Sequence, residues 1–239
     1  MTINRDRIGN QSGFVIAIDG PAGAGKTTIA RKLAECLGFF MLDSGALYRA
    51  LALALLRRKV SPECDCISEG TLSSIRISIQ PISGGMKLFL DGEDISAEIR
   101  SEEIGVAASK FSAKAEARKA LLGLQRSVAS ERNIVAEGRD MGAIVFPFAQ
   151  VKFFLTADPE ERAKRRYSEL VEKGESIYYS QVLSEMRARD YRDETRSVAP
   201  MVPASDAVIL DTTRLAPDEV VSFMLERIRE KRFPKDGEI

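Results

Sequence analysis

Apolar and polar positions along the chain follow two rhythms. "FVIAI" (14–18) is an unbroken apolar run ending at Asp19-Gly20, the pattern of a strand buried on both faces. "TTIARKLAECLG" follows, with Ile29, Leu33, Ala34 and Leu37 on one helical face and Gly38 as a C-terminal stop. "FFML" (39–42), a turn at Asp43-Ser44-Gly45 and a helical stretch through "ALYRALALALLRRK" repeat the strand–helix order. That succession predicts an α/β fold with a parallel sheet flanked by helices.

The rhythm changes in the next segment. "IRISIQ" (75–80) and "MKLFL" (86–90) alternate with period two on either side of "PISGG", which predicts an antiparallel hairpin inserted into the α/β core. Helical stretches over 97–109 and 114–130 bring the chain back, and "NIVAEG" (133–138) and "VKFFLTA" (151–157) resume the buried-strand pattern. Pro159 opens a basic helix, "PEERAKRRYSELVEKG", at a position where proline is tolerated. A second helix over 178–192, a strand at "AVIL" (207–210) and an amphipathic helix from about Pro217 to Lys231 close the chain. The polar start, "MTINRDRIGNQSG", predicts a disordered leader over 1–13 preceding one core over 14–239.

Composition narrows the function classes. Thirty-five basic and 35 acidic residues give zero formal net charge, so no global field recruits nucleic acid or an anionic membrane. Any anion must be held by local clusters. The chain has no histidine, which removes the commonest general base and metal ligand. Three irregularly spaced cysteines, Cys36, Cys64 and Cys66, argue against a disulfide framework and fit a reducing cytoplasm. The longest apolar stretch, "ALALALL" (50–56), is too short to cross a bilayer. A soluble, cytoplasmic monomer is the expectation.

The sharpest chemical signal is "GPAGAGKT", which matches G-x-x-x-x-G-K-[ST] between a buried strand and an amphipathic helix. Its glycines let backbone N–H groups curl around an anion, and the following helix aims its positive end there. The candidate ATP site is therefore Gly20, Pro21, Ala22, Gly23, Ala24, Gly25, Lys26, Thr27 and Thr28. Lys26 is placed to reach the β- and γ-phosphates, and Thr27 to ligate Mg²⁺. A signalling GTPase would carry N-K-x-D, yet no asparagine here precedes a lysine, and 239 residues leave little room for a motor's coupling domain. A small kinase remains.

Phosphoryl transfer needs positioning and charge neutralisation more than proton abstraction. Three clusters offer the cations. "LDSGALYRA" (42–50) puts Ser44 and Arg49 near the C-terminal end of a strand, as an N-cap and a surface arginine or as part of a site. "AEGRDMG" (136–142) places Arg139-Asp140 between two glycines just after a buried strand. "ERAKRR" (161–166) reads as a solvated face. In "RARDYRDETR" (187–196), Arg189, Arg192, Asp193 and Arg196 share one helical face. Arg187, Asp190 and Glu194 fall on another, expected to be the solvated, ion-paired side.

Together, "IAIDGPAGAGKTT", "LDSGALYRA", "DGEDIS..IR", "AEGRDMGAIVFP", "FFLTADPEERAKRR" and "RDYRDETRSVAPMVPASDAVILDTT" resemble bacterial cytidylate kinases, in order, from about residue 14 to 225. The resemblance implies Mg²⁺-dependent transfer of phosphate from ATP to CMP or dCMP. It implies a P-loop sheet with a CMP-binding subdomain at about 71–112 and a lid at about 165–180. By similarity Ser44 and Arg49 hold the acceptor, Ser109, Arg118 and Asp140 read the cytosine edge, and Arg139 binds the acceptor phosphate. Arg189 and Asp193 grip the ribose hydroxyls, Arg196 meets the transferring phosphate, and Arg165 joins the ATP site. Lys26, Arg139, Arg189 and Arg196 are the implied catalytic residues. Two positions depart from the family pattern: Phe148 stands where an acid is usual, and Thr27 where glycine or serine is common. Other acceptors (UMP, AMP, shikimate) and a nucleotide-binding regulator without turnover are the competing readings.

Overall fold

A computed structural model describes residues 13–82 and 84–232. Residues 1–12 of the expected leader, and Ser83 of the "PISGG" turn, lie outside the described residues. β1 (Val15–Asp19), β2 (Phe40–Asp43), β6 (Ile134–Glu137), β7 (Val151–Thr156) and β8 (Val208–Asp211) form one sheet in the order β2-β6-β1-β7-β8. Every pairing in it is parallel. Alternate strand residues serve opposite faces, as the pleat requires. Val15, Ala17, Ile134 and Ala136 pack toward α2 (Ser44–Arg57) on one side. Ile16, Ile18, Val135, Phe153 and Leu155 pack toward α1 (Lys26–Leu37) and α8 (Pro217–Arg232) on the other. Burial of both faces explains the continuous apolar runs.

The expected hairpin is a three-stranded antiparallel sheet, β3 (Ile77–Ile82), β4 (Gly85–Leu90) and β5 (Glu93–Asp94). The third strand has two residues, too few to give a period. The insertion shares the α2-side core, because Leu88, Leu90, Ile95 and Ile99 pack in the cluster that holds Leu51 and Leu55. A short α3 (Glu69–Ser73), capped by the Ser68 side chain, also precedes it. α4 (Glu102–Phe111) and α5 (Ala115–Glu131) return the chain to β6.

Three local differences bear on function. α2 begins at Ser44 directly after β2, and the Asp43 carboxylate accepts the Ala46 N–H, so Asp43 is the N-cap and not Ser44. Met141–Val145 form a π-helical turn where the sequence suggested only a loop. Its first two N–H groups have no intrahelical acceptor and donate to Asp19, at 2.7 Å each. α6 (Pro159–Glu172) and α7 (Tyr179–Thr195) make a helical hairpin, and the expected lid span 165–180 covers its turn. No described helix is long and apolar enough to cross a membrane.

Candidate active site

Parallel pairing lines up the strand ends. Asp43 stands opposite Glu137, and Glu137 opposite Ile18, one residue before Asp19. Three carboxylates therefore crowd the C-terminal edge where β1 turns into the phosphate loop, the edge where open α/β sheets bind ligands. Gly20 starts that turn at φ 140°, and a Cβ there would collide with the Leu155 carbonyl, so the strand–loop step admits only glycine. The loop then delivers Lys26 and Thr27 to the first turn of α1.

Lys26 is buried, and its ammonium donates to the Pro21 carbonyl at 2.6 Å. Burial pulls it below the ordinary lysine range, and Arg139 pulls it further. The Thr27 hydroxyl donates to Glu137 Oε1 at 2.6 Å. Burial, then the charge of Asp43, pushes the Glu137 carboxyl above the ordinary carboxylate range. Both shifts favour neutral forms in a site without phosphates. Polyphosphate and a divalent cation would return both groups to their charged forms.

Across the sheet edge the acceptor-side residues meet in one network. Asp140 is buried and accepts from Arg118, whose guanidinium lies 5.5 Å from the Tyr48 ring. Arg196 lies 3.6 Å from Asp140 and 3.8 Å from Asp193. Asp193 in turn accepts from Arg139 at 3.0 Å and stands 3.9 Å from Arg189. Burial and the neighbouring Arg139 bring Arg189 down to about 10, and burial with Arg118 lowers Arg196. Crowded, partly desolvated guanidiniums of this kind favour an incoming anion. Lys26 senses both Arg139 and Arg189, so the phosphate loop and the arginine network are one electrostatic site.

Unsatisfied buried polar atoms also collect here. Among the described residues, four buried side-chain atoms have no hydrogen-bond partner: Ser109 Oγ, Arg189 Nε, Arg196 Nη2 and Asp190 Oδ1. Natural structures leave few such groups, and the two on Arg189 and Arg196, both beside Asp193, indicate places for ligand atoms.

Other expected residues are exposed or have protein partners of their own. Arg192 is exposed, so the face predicted for Arg189, Arg192, Asp193 and Arg196 keeps three of its four members. Ser44 is buried and accepts from Gln125 at 2.8 Å. The Arg49 guanidinium donates to the Ile99 carbonyl at 3.3 Å and packs on Gly105. Thr28 is exposed on α1. Arg165 donates to the Thr212 and Thr213 carbonyls at 2.8 and 3.2 Å, bracing the loop after β8. That loop borders an open cleft of about 710 Å³ lined by Thr156, Ala157, Asp158, Pro159, Asp211, Thr213, Arg214 and Leu215. Thr212 ties it to the phosphate loop through the Ala24 carbonyl, at 3.2 Å.

Sequence reasoning missed Glu137 and Asp19. Each is a lone acid ending a buried strand, and that position was the available signal. It also misplaced two charges. The patterning puts Arg162 of "ERAKRR" and Asp190 on solvated faces, but both are buried and paired with each other.

Asp19 yields a pH prediction. Burial raises its pKa to about 6 against an ordinary 3.8, despite two backbone donors. A raised carboxyl binds its proton more tightly in the folded state, so its contribution to stability falls as pH rises from about 4 through 6, by at most about 3 kcal/mol. Asp19→Asn is expected to remove this dependence. Its melting temperature relative to the parent should climb between pH 5 and pH 8, whereas a constant difference would contradict the shift.

The parallel order, phosphate loop and facing arginine cluster define a P-loop kinase that accepts a second anionic substrate. The family model for cytidylate kinase matches residues 16–230. Cytidylate kinase of Pasteurella multocida (strain Pm70) is 48% identical over 217 residues, 91% of this chain and 96% of that protein. The Vibrio cholerae serotype O1 cytidylate kinase is 49% identical over 221 residues, 91% of this chain and 96% of its own length. The chain belongs to the cytidylate kinase family. Among solved structures, shikimate kinase from Acinetobacter baumannii in complex with shikimate aligns with 93% of this chain and 97% of that chain, at 16% identity and a TM-score of 0.45. A gluconokinase from Sinorhizobium meliloti 1021 aligns with 95% and 98%, at 14% identity and a TM-score of 0.46.

Proposed function

We propose that the protein transfers the γ-phosphoryl group of ATP to CMP or dCMP, giving ADP and CDP or dCDP, in pyrimidine nucleotide metabolism. The observation that carries this reading is the charge network from Arg139 through Asp193 to Arg196, Asp140 and Arg118, at the strand ends where the Lys26 loop also begins. A phosphate acceptor is already anionic, so no general base is needed. This suits a chain without histidine.

In this assignment Gly20–Thr28 cradle the donor phosphates, and the cleft braced by Arg165 takes the donor nucleoside. Lys26, Arg139, Arg189 and Arg196 neutralise charge on the transferring group. Ser44 and Arg49 hold the acceptor beside them. Arg118 donates to the cytosine carbonyl, while Asp140 and Ser109 accept from its exocyclic amine; Asp193 accepts from ribose hydroxyls. The inserted segment at about 71–112 closes the acceptor side, and the hairpin turn at 165–180 acts as the lid.

The site suits Mg²⁺. The Thr27 hydroxyl and Glu137 carboxylate, 2.6 Å apart, are hard oxygen donors. No group of three or more His, Cys, Asp or Glu residues among the described residues is arranged to hold a metal alone, so phosphates and water would complete the shell. Bound with ATP, Mg²⁺ supplies charge neutralisation on the β- and γ-phosphates. Thr27 and Glu137 would orient it.

We further assign the protein to the cytoplasm, as a monomer acting on free nucleotides and not on nucleic acid or membranes. Zero net charge speaks against nucleic-acid and membrane partners, and three free cysteines fit a reducing cytoplasm. Steady-state rates over CMP, dCMP, UMP, AMP and shikimate test the acceptor. CMP or dCMP should lead by at least about tenfold, ~1.4 kcal/mol of transition-state binding. A flat profile would reject the specificity.

A further inference from the structure

Arg162 is the least exposed of the three arginines in "ERAKRR", at 6%, and its guanidinium makes three contacts to three elements. Nε donates to the Ala157 carbonyl, just past the end of β7, at 2.9 Å. Nη1 donates to the Ala22 carbonyl inside the phosphate loop at 3.0 Å, and also to Asp190 Oδ2 of α7. Packing reinforces the join. A Cβ placed on the next loop residue, Gly23, would come within 3.0 Å of Arg162 Cβ, the Arg162 carbonyl and Met186 Cε of α7. Asp190 is 8% exposed, and its second oxygen has no partner among the described residues.

Neither residue belongs to the arginine network assigned above to the substrates. Yet Asp190 follows Arg189 directly and precedes Asp193 by three residues, so one helix joins it to both. A buried ion pair is an uneconomical way to hold two helices together, because desolvation offsets its attraction. What it adds is direction. The planar guanidinium fork fixes the angle between its partners, which an apolar contact would leave free.

We propose that Arg162 and Asp190 are positioning residues that lock the phosphate loop at Ala22 to helix α7. Seating of the donor phosphates then sets Arg189 and Asp193 for the acceptor. This inference rests on the two-substrate kinase reading. Its consequence is reciprocal: donor and acceptor each tighten the other's binding, and the tightening passes through this pair.

The test uses the full chain with Arg162→Lys, Asp190→Asn and the apolar double replacement Arg162→Met with Asp190→Leu. Calorimetry measures CMP binding with and without a non-hydrolysable ATP analogue, alongside kcat, both KM values and melting temperature. The parent should bind CMP at least about fivefold more tightly with the analogue present. Each single variant should bind CMP alone within about twofold of the parent, lose that enhancement, and lose about tenfold or more in kcat. The double replacement should restore the melting temperature without restoring the enhancement. This separates positioning from stability if a single variant folds poorly.

An unchanged enhancement in any folded variant would overturn the proposal, as would its absence from the parent. A return of the enhancement with stability in the double replacement would overturn it too, as would an equal loss of CMP binding without the analogue. These binding readouts need no turnover. Failure of the kinase reading would show separately, as no CDP from the parent with ATP and CMP.

Discussion

Lys26→Ala is expected to abolish turnover, lowering kcat by about a thousandfold or more, roughly 4 kcal/mol of transition-state stabilisation. The reason lies in how its charge is held. The ammonium is buried against the Pro21 carbonyl at the point where the loop becomes α1. Burial strips the amine of its hydration shell and, with Arg139, weakens its hold on a proton; an arriving polyphosphate restores the proton and meets a cation already desolvated. Lys26→Arg should rescue little, because a guanidinium needs more room than the loop leaves. Turnover at saturating ATP and CMP measures both. A Lys26→Ala enzyme with more than a tenth of the parent rate would remove Lys26 from the mechanism.

The second large effect is expected at Asp193. Its carboxylate is buried among Arg139, Arg189 and Arg196. Asp193→Ala leaves three guanidiniums facing one another without the acid that offsets their repulsion. Removing one partner of a buried pair costs roughly 3–5 kcal/mol. Efficiency with CMP should fall by about a hundredfold or more, while the KM for ATP changes little. Asp193→Asn keeps the shape and an acceptor oxygen, so it should recover part of the stability and less of the CMP use. Normal CMP kinetics in a folded Asp193→Ala enzyme would contradict the ribose assignment.

The parallel sheet and the phosphate loop were legible because both rest on local rules. Continuous apolar runs mark strands buried on two faces, and "GPAGAGKT" between one of them and a helix has few other uses. The parts that escaped depend on partners distant in sequence. α7 shows the limit most plainly. Its helical periodicity places Asp193 and Asp190 on different faces, and one face was assigned to solvent. In the fold α7 is covered on both, by the arginine network and by α6 with the phosphate loop. Its buried positions include acids as well as Val182 and Met186, so apolar patterning could not reveal the second interface. Arg162 was misread for the same reason, since its carboxylate partner lies 28 residues away. The π-turn at Met141–Val145 likewise depends on Asp19, 122 residues from Met141.

The proposed site brings donor and acceptor phosphates together between the Lys26 loop and the Arg139–Asp193 network. Phosphorus NMR of the protein with Mg²⁺, ATP and CMP shows whether the γ-phosphoryl group crosses between them. CDP and ADP should appear in equal amounts with no inorganic phosphate, because the γ-phosphoryl group passes to the acceptor and not to water. Release of phosphate without CDP, or no change in either nucleotide, would contradict it.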